Sequence, residues 1–387
     1  MIETAPPFEL ETADVVGLVR ELEEYRELYH DLFKRREQRE QDDTSLHGLL
    51  LPLPNKAVET MVLHMNGDDA NAIRRAQHFI SEGRWPDQEI LKRHWGEVAQ
   101  DLGDPQGVLI IDENAFPKQG SDSVGVKRQW CGQLGKTASC QVGVFAAYAS
   151  AHGYTLLDRR LYLPREWVEE EGYDERRARC GVPDDITFQT KPELALEMIQ
   201  AIQAAGTLPF GWLVCDEGYG PSGSFLDQVA AYTFYFAEIP ADTCVWRERP
   251  QSAIPEWSGQ GRKPSREQLL PDEPAAQEVS ALAAALPESA WSRHTIQEGS
   301  KGSIVADFAC RRVVAVRDGL PGPTVWLIMR RNIESGELKY FLSNAAPDTP
   351  LATFVWLSGM RWPVERCFED GKQEVGLADY QVRSWTG

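Results

Sequence analysis

The sequence predicts an α/β protein with a mixed or parallel sheet, an all-helical segment before it and a β-rich segment after it. Three observations carry this expectation. The first hundred residues show helical spacing alone, strand-like and helical runs alternate from Gly107 to Ile239, and β spacing returns from Ile304 before a helical tail.

Val15, Leu18, Val19, Leu22, Tyr25, Leu28 and Leu32 predict a helix from about Thr12 to Arg39. It ends in the mixed-charge run Lys34 to Glu40, which reads as a solvated helix face or as a DNA contact. A Leu/Pro-rich stretch, Leu49 to Pro54, breaks the pattern before helices near 56–65, 69–82 and 87–102. Asp68 or Asp69 is placed to cap the second of these, and Asp87 falls in the first turn of the third.

Gly107 to Asp112 then reads as a buried strand that ends in an acid. Strands follow at 140–149 and 154–162, and Pro192 to Ala204 forms a helix that closes at Gly206. Leu208 to Cys215 is a second strand that ends in an acid, Asp216, followed by a helix at 225–232 and a strand at 233–239. Residues 240–270 form an irregular connector, and Leu282 to Leu286 lies in a short helix. Four antiparallel strands are expected at 305–310, 312–316, 324–329 and 338–342, with turns at Asp318-Gly319 and Asn332 to Gly336.

Composition narrows the function. With 42% apolar and 26% charged residues the chain is of ordinary globular type. No run approaches the roughly 18 apolar residues that a membrane span needs. The start, Met1-Ile2-Glu3-Thr4, lacks a secretory layout, so a cytoplasmic protein is expected. Seven dispersed cysteines without a CxxC pair argue against a disulfide framework and against a thiolate zinc site. The seven histidines form no HxH or HExxH pattern, so a metal, if used, falls to carboxylates. The charge of −19 opposes unaided nonspecific DNA binding, although local phosphate contacts rather than the sum decide affinity.

Asp112 and Asp216 sit at predicted strand ends, where open α/β sheets place their sites. A third acid, Glu365, lies in the tail helix within Arg361-Trp362-Pro363-Val364-Glu365. Three carboxylates from separate elements suit two Mg²⁺ ions in phosphoryl transfer. Arg361 is four residues before Glu365 and Lys372 seven after it. At about 100° per residue both return to within roughly 40° of the Glu365 face. The alternative for this helix is a plain surface ion pair, and Pro363 marks either its first turn or a kink.

Ile111-Asp112-Glu113-Asn114-Ala115-Phe116-Pro117-Lys118-Gln119-Gly120, then Ser123 to Val126 and Arg128 to Lys136, resembles bacterial insertion-sequence DDE transposases of the IS four / IS seven-oh-one type. So do Ala138 to Val144, Asp216-Glu217-Gly218-Tyr219-Gly220, and Arg361 to Glu365 with Lys372 to Leu377 and Tyr380. The resemblance runs from about residue 70 to the end. It implies an RNase H-like mixed sheet with flanking helices, an N-terminal all-helical domain (1–105) and a β-rich insertion (240–345). The insertion would split a catalytic core of 106–239 and 346–387.

The resemblance further implies that Asp112, Asp216 and Glu365 are catalytic and hold two Mg²⁺ ions, with Mn²⁺ able to substitute. Arg361 and Lys372 would contact DNA phosphates, and Lys118 matches a recurrent family lysine assigned here to DNA. The expected partners are double-stranded DNA with terminal inverted repeats, target DNA, and a second copy of the chain on DNA. Ser358 and Asn114 stand where the family often has Tyr and Thr. Family members usually continue beyond Ser384-Trp385-Thr386-Gly387, so a truncated or silent DNA-binding remnant is the alternative expectation. Trp246 and Trp291 are candidates for base stacking or for core packing. Arg74-Arg75, Lys92-Arg93 and Arg176 to Arg179 are candidates for DNA contact or for ordinary helix surface. Tyr219, Cys131 and Cys140 are expected to pack.

Overall fold

The computed structural model describes residues 12–257, 259–299 and 302–386. The Met1 to Thr4 start therefore lies outside the described residues, as does Gly387. Five helices come first: α1 (Thr12–His30), α2 (Arg36–Leu50), α3 (Val58–Asn66), α4 (Ala70–Glu82) and α5 (Asp87–Leu102). The helix expected over 12–39 is thus two, with the break at residues 31–35. Phe33, in that break, is buried and packs against Phe79 of α4, which needs the chain to turn inward there. Asp69 caps α4, accepting from the backbone of Asn71 and Ala72.

The sheet begins with β1 (Val108–Pro117), β2 (Lys127–Cys131), β3 (Lys136–Ser150) and β4 (Gly153–Tyr162). Helices α6 (Arg165–Glu169), α7 (Asp174–Cys180) and α8 (Lys191–Ala205) lead to β5 (Trp212–Cys215), α9 (Gly223–Val229) and β6 (Phe234–Ile239). A capping box starts α8: Thr190 Oγ1 accepts from Glu193 N at 3.4 Å, and Glu193 Oε2 accepts from Thr190 N at 2.7 Å. Gly206 ends it in the left-handed region that glycine adopts at little cost. β1 pairs antiparallel with β3 and parallel with β5, β3 pairs antiparallel with β4, and β5 pairs parallel with β6. The order β4-β3-β1-β5-β6 is that of an RNase H-like sheet, as expected.

The β-rich segment comprises β7 (Cys244–Trp246), β8 (Ser252–Ala253), β9 (Gln268–Leu269), β10 (Gln277–Glu278), α10 (Val279–Ala284), β11 (Ser292–Gly299), β12 (Gly302–Arg317), β13 (Leu320–Asn332) and β14 (Leu338–Ser343). It continues the core sheet edge to edge, because β14 pairs antiparallel with β6. The two strands expected at 305–310 and 312–316 are one strand, β12. Arg311, the polar break in the sequence pattern, remains paired with Leu327. The turn at Asp318-Gly319 has both residues at positive φ, 51° and 78°, as a tight hairpin requires. Two helices, α11 (Leu351–Leu357) and α12 (Trp362–Glu374), finish the fold.

Both faces of the central sheet are covered. Leu109, Ile111, Leu213, Cys215, Tyr235 and Ala237 share a core with α5, α8 and α9. Val108, Ile110, Trp212, Val214 and Phe236 share another with α11 and α12 through Phe354, Val364 and Phe368. Alternate side chains on each strand therefore serve opposite layers. No helix among the described residues is long and apolar enough to cross a membrane.

Candidate active site

The site forms where the second apolar layer stops. On β1, β5 and β6 the residues facing α11 and α12 are Ile110, Val214 and Phe236. The next side chain on that face of each strand is an acid: Asp112, Asp216 and Glu238. The register aligns them, since Ile111 pairs with Cys215 and Cys215 with Ala237, and each acid follows its paired residue. Asp216 leaves the end of β5 as expected. Asp112 does not end its strand: β1 continues to Pro117 beside β3, and only the parallel ladder to β5 ends at Ile111. Asp112 and Glu238 stay buried in this row.

The segment after Asp216 folds around that carboxylate. Gly218 N donates to Asp216 Oδ1 at 2.9 Å, while Tyr219 N and Gly220 N donate to the Asp216 carbonyl at 3.1 and 3.0 Å. Gly220 then passes close to β6, where a Cβ would meet the Glu238 carbonyl oxygen at 1.9 Å. Glycine, which has no Cβ, permits this approach. Tyr219 is fully buried beneath the turn and packs on Phe225, as expected.

From the opposite side α12 presents Glu365 in its first turn, with Arg361 just before the helix and Pro363 within the first turn. Arg361 Nη2 lies 3.1 Å from Asp112 Oδ2, 3.8 Å from Glu365 Oε1 and 4.0 Å from Asp216 Oδ2. Its Nη1 lies 3.3 Å from Glu238 Oε2. The three acids expected from the sequence thus meet around one nitrogen. No two of those oxygens can lie farther apart than twice that 4.0 Å reach. They do not all close to within 4.8 Å of one another; among the described residues the group that does is His30, Asp42 and Asp43. In that group Arg26 already contacts Asp43 at 2.6 Å.

Charge and burial compete at this centre. Burial pushes the Asp112 carboxyl up to about 6, Arg361 opposes the rise, and the neighbouring Asp216 adds to it. Burial works against the charge on Arg361, yet Asp112, Asp216 and Glu238 together hold its guanidinium protonated well above its ordinary range. Four carboxylates face Arg361 and Lys339, the latter 2.8 Å from Glu238. The all-oxygen donor set and its acidic excess are of the kind that suits hard divalent cations.

Lys372 of α12 reaches β1 beyond the acids, donating to Asn114 Oδ1 at 2.9 Å, two residues past Asp112. Lys118 does not point into the centre. Its ammonium donates to the Tyr380 carbonyl at 2.7 Å and lies 3.3 Å from the Tyr380 ring centroid. Trp246 is buried, donating to the Pro274 carbonyl at 2.8 Å, and Trp291 is covered by Arg331. Arg93 pairs with Asp31, and Arg177 with Asp174. Cys131, Cys140 and Cys215 are buried free thiols. Glu238 was not anticipated, although it is the lone charge in the run Phe234-Tyr235-Phe236-Ala237-Glu238-Ile239. A charge inside an otherwise apolar strand was the available signal.

A family model described as DDE superfamily endonuclease matches residues 28–303. The chain belongs to the DDE superfamily of endonucleases. The superfamily match takes in Asp112, Asp216 and Glu238 and ends before Glu365. A probable transposase for insertion sequence element IS701, from Microchaete diplosiphon, is 29% identical over 216 residues, which is 54% of this chain and 52% of that protein. The chain therefore spans about half the length of the curated relative it matches.

Proposed function

We propose that this superfamily member is an insertion-sequence transposase that cleaves DNA at the element's ends and joins the freed end to target DNA. The single observation that carries this reading is the meeting of Asp112, Asp216 and Glu365 within 4.0 Å of Arg361 Nη2. Membership of an endonuclease superfamily and likeness to a probable insertion-sequence transposase support it.

In this reading Asp112, Asp216 and Glu365 hold two Mg²⁺ ions, with Mn²⁺ able to replace them. Bound there, the ions would supply the charge that activates an attacking oxygen and stabilises a leaving one. The rigid backing of β1 and β5 holds the first two carboxylates in place, and the turn of Gly218 to Gly220 orients the second. The Arg361 guanidinium stands among the acids and Lys372 reaches Asn114, two residues past Asp112; a phosphodiester bound there would bring negative charge toward both. The DNA partner would be duplex carrying terminal inverted repeats. Pairing of two ends would need two copies of the chain, acting on the nucleoid in a bacterial cytoplasm.

The test is cleavage of DNA carrying candidate ends with Mg²⁺, comparing the native chain with Glu365→Gln. End-specific cutting that falls by about a hundredfold or more in the variant is expected for loss of a metal-holding acid. Equal cutting by both proteins removes Glu365 from the site. Cutting with no preference for ends makes the chain a general nuclease. Binding of ends without cutting makes it a silent DNA-binding protein.

A further inference from the structure

We infer that Glu238 is a positioning residue that draws the Arg361 guanidinium away from the metal-holding acids, so that cations can enter between Asp112, Asp216 and Glu365. The inference rests on the metal-site reading above and concerns an acid outside the triad.

Glu238 is aligned with Asp112 and Asp216 across three adjacent parallel strands, yet its two oxygens are already engaged. Oε1 accepts from Lys339 Nζ at 2.8 Å, which fixes the carboxylate from the β14 side. Oε2 accepts from Arg361 Nη1 at 3.3 Å. The other guanidinium nitrogen, Nη2, donates to Asp112 at 3.1 Å and also lies near Asp216 and Glu365. Arg361 therefore bridges two groups of acids, with one nitrogen on each.

A guanidinium cannot lose its proton near neutral pH, so it can clear the triad only by moving. A half-buried guanidinium that left its carboxylates with no other partner would be disfavoured. Glu238, buried and anchored by Lys339, offers a second carboxylate that can keep the charge while Nη2 turns from Asp112. Without that anchor the whole guanidinium would settle on the triad and compete with incoming cations. Glu238 thus acts on the metal site through Arg361 and need not touch an ion.

The experiment is a double-mutant cycle on the full chain without DNA, reading Mn²⁺ affinity by electron paramagnetic resonance and thermal stability alongside. Glu238→Gln is expected to weaken Mn²⁺ binding by about tenfold, the lower range for a residue supporting a metal site from behind. Arg361→Ala alone is expected to tighten it. In the Arg361→Ala background, adding Glu238→Gln is expected to leave affinity unchanged. Equal weakening in both backgrounds would make Glu238 a direct ligand and overturn the inference. An unchanged affinity in Glu238→Gln would reduce it to a structural role. If Glu238→Gln does not fold, weaker Mn²⁺ binding by Arg361→Ala would still overturn the competition. Asp112→Asn reports separately on the underlying reading: if it leaves Mn²⁺ binding intact, the metal-site assignment itself fails.

Discussion

Arg361 donates from Nη2 to Oδ2 of Asp112 at 3.1 Å, joining the entry to the last helix to the first strand across 249 residues of sequence. The contact only partly offsets the burial of Asp112, whose carboxyl stays up at about 6 against an ordinary 3.8. Below 3.8 this acid is protonated in both folded and unfolded chains. As pH rises from 3.8 to about 6, the unfolded chain ionises first and stability is lost, with the full loss standing above 6. In EDTA, Asp112→Asn should therefore melt higher than the native chain at pH 7.5, and that advantage should vanish near pH 4. With Mg²⁺ at pH 7.5 the order should reverse, since a cation stabilises only the protein that can hold it. Calorimetric melting at the two pH values, with and without metal, checks this.

Gly220→Ala should destabilise the protein by roughly 2–3 kcal/mol, the usual scale for overpacking a closed site. The added methyl would meet the Glu238 carbonyl at 1.9 Å, and that atom belongs to a strand paired on both sides. Urea unfolding measures the loss. A change below about 0.5 kcal/mol, the range of ordinary surface substitutions, would show that the turn and β6 separate readily.

Lys372 and Lys118 should part company in DNA binding. Lys372→Met removes a cation two residues along β1 from Asp112 and should lower the salt slope of DNA affinity by about one phosphate contact. Lys118→Met should leave that slope unchanged and cost stability instead, because its ammonium is held by Tyr380. Affinity titrations at several salt concentrations separate the two. Equal slopes for both variants would remove Lys372 from the DNA interface.

Thr190→Ala should cost about 1 kcal/mol of stability by opening the capping box of α8. DNA binding should be unaffected, since α8 packs on the face of the sheet opposite the acids. Denaturation and binding measured on one preparation check both parts.

Much of the architecture was legible because burial imposes a period. The helices at 69–82 and 87–102 and the strands at 140–149 and 154–162 match their observed bounds within a few residues. Two strand bounds were misread where a single polar residue interrupts a paired strand. Arg311 split β12 on paper, and Asp112 seemed to close β1, because residue pattern cannot report a hydrogen-bonded neighbour from a distant segment. Glu238 was hidden for a related reason. One acid in an apolar run has no visible partner until β14 and α12 bring Lys339 and Arg361 to it.

The sequence by itself determined the α/β class, the helical N-terminal segment, the return of β spacing after Ile304, and three candidate acids. Local spacing encodes these, since it decides which side chains share a face of one element. Only the tertiary structure decided that the β-rich segment continues the core sheet through β14 and β6. It also decided that Arg361 stands among the acids rather than facing solvent, that Lys118 turns inward to Tyr380, and that Glu238 completes the row. Each of these depends on register between strands or on contacts between residues more than a hundred positions apart, which no local pattern contains.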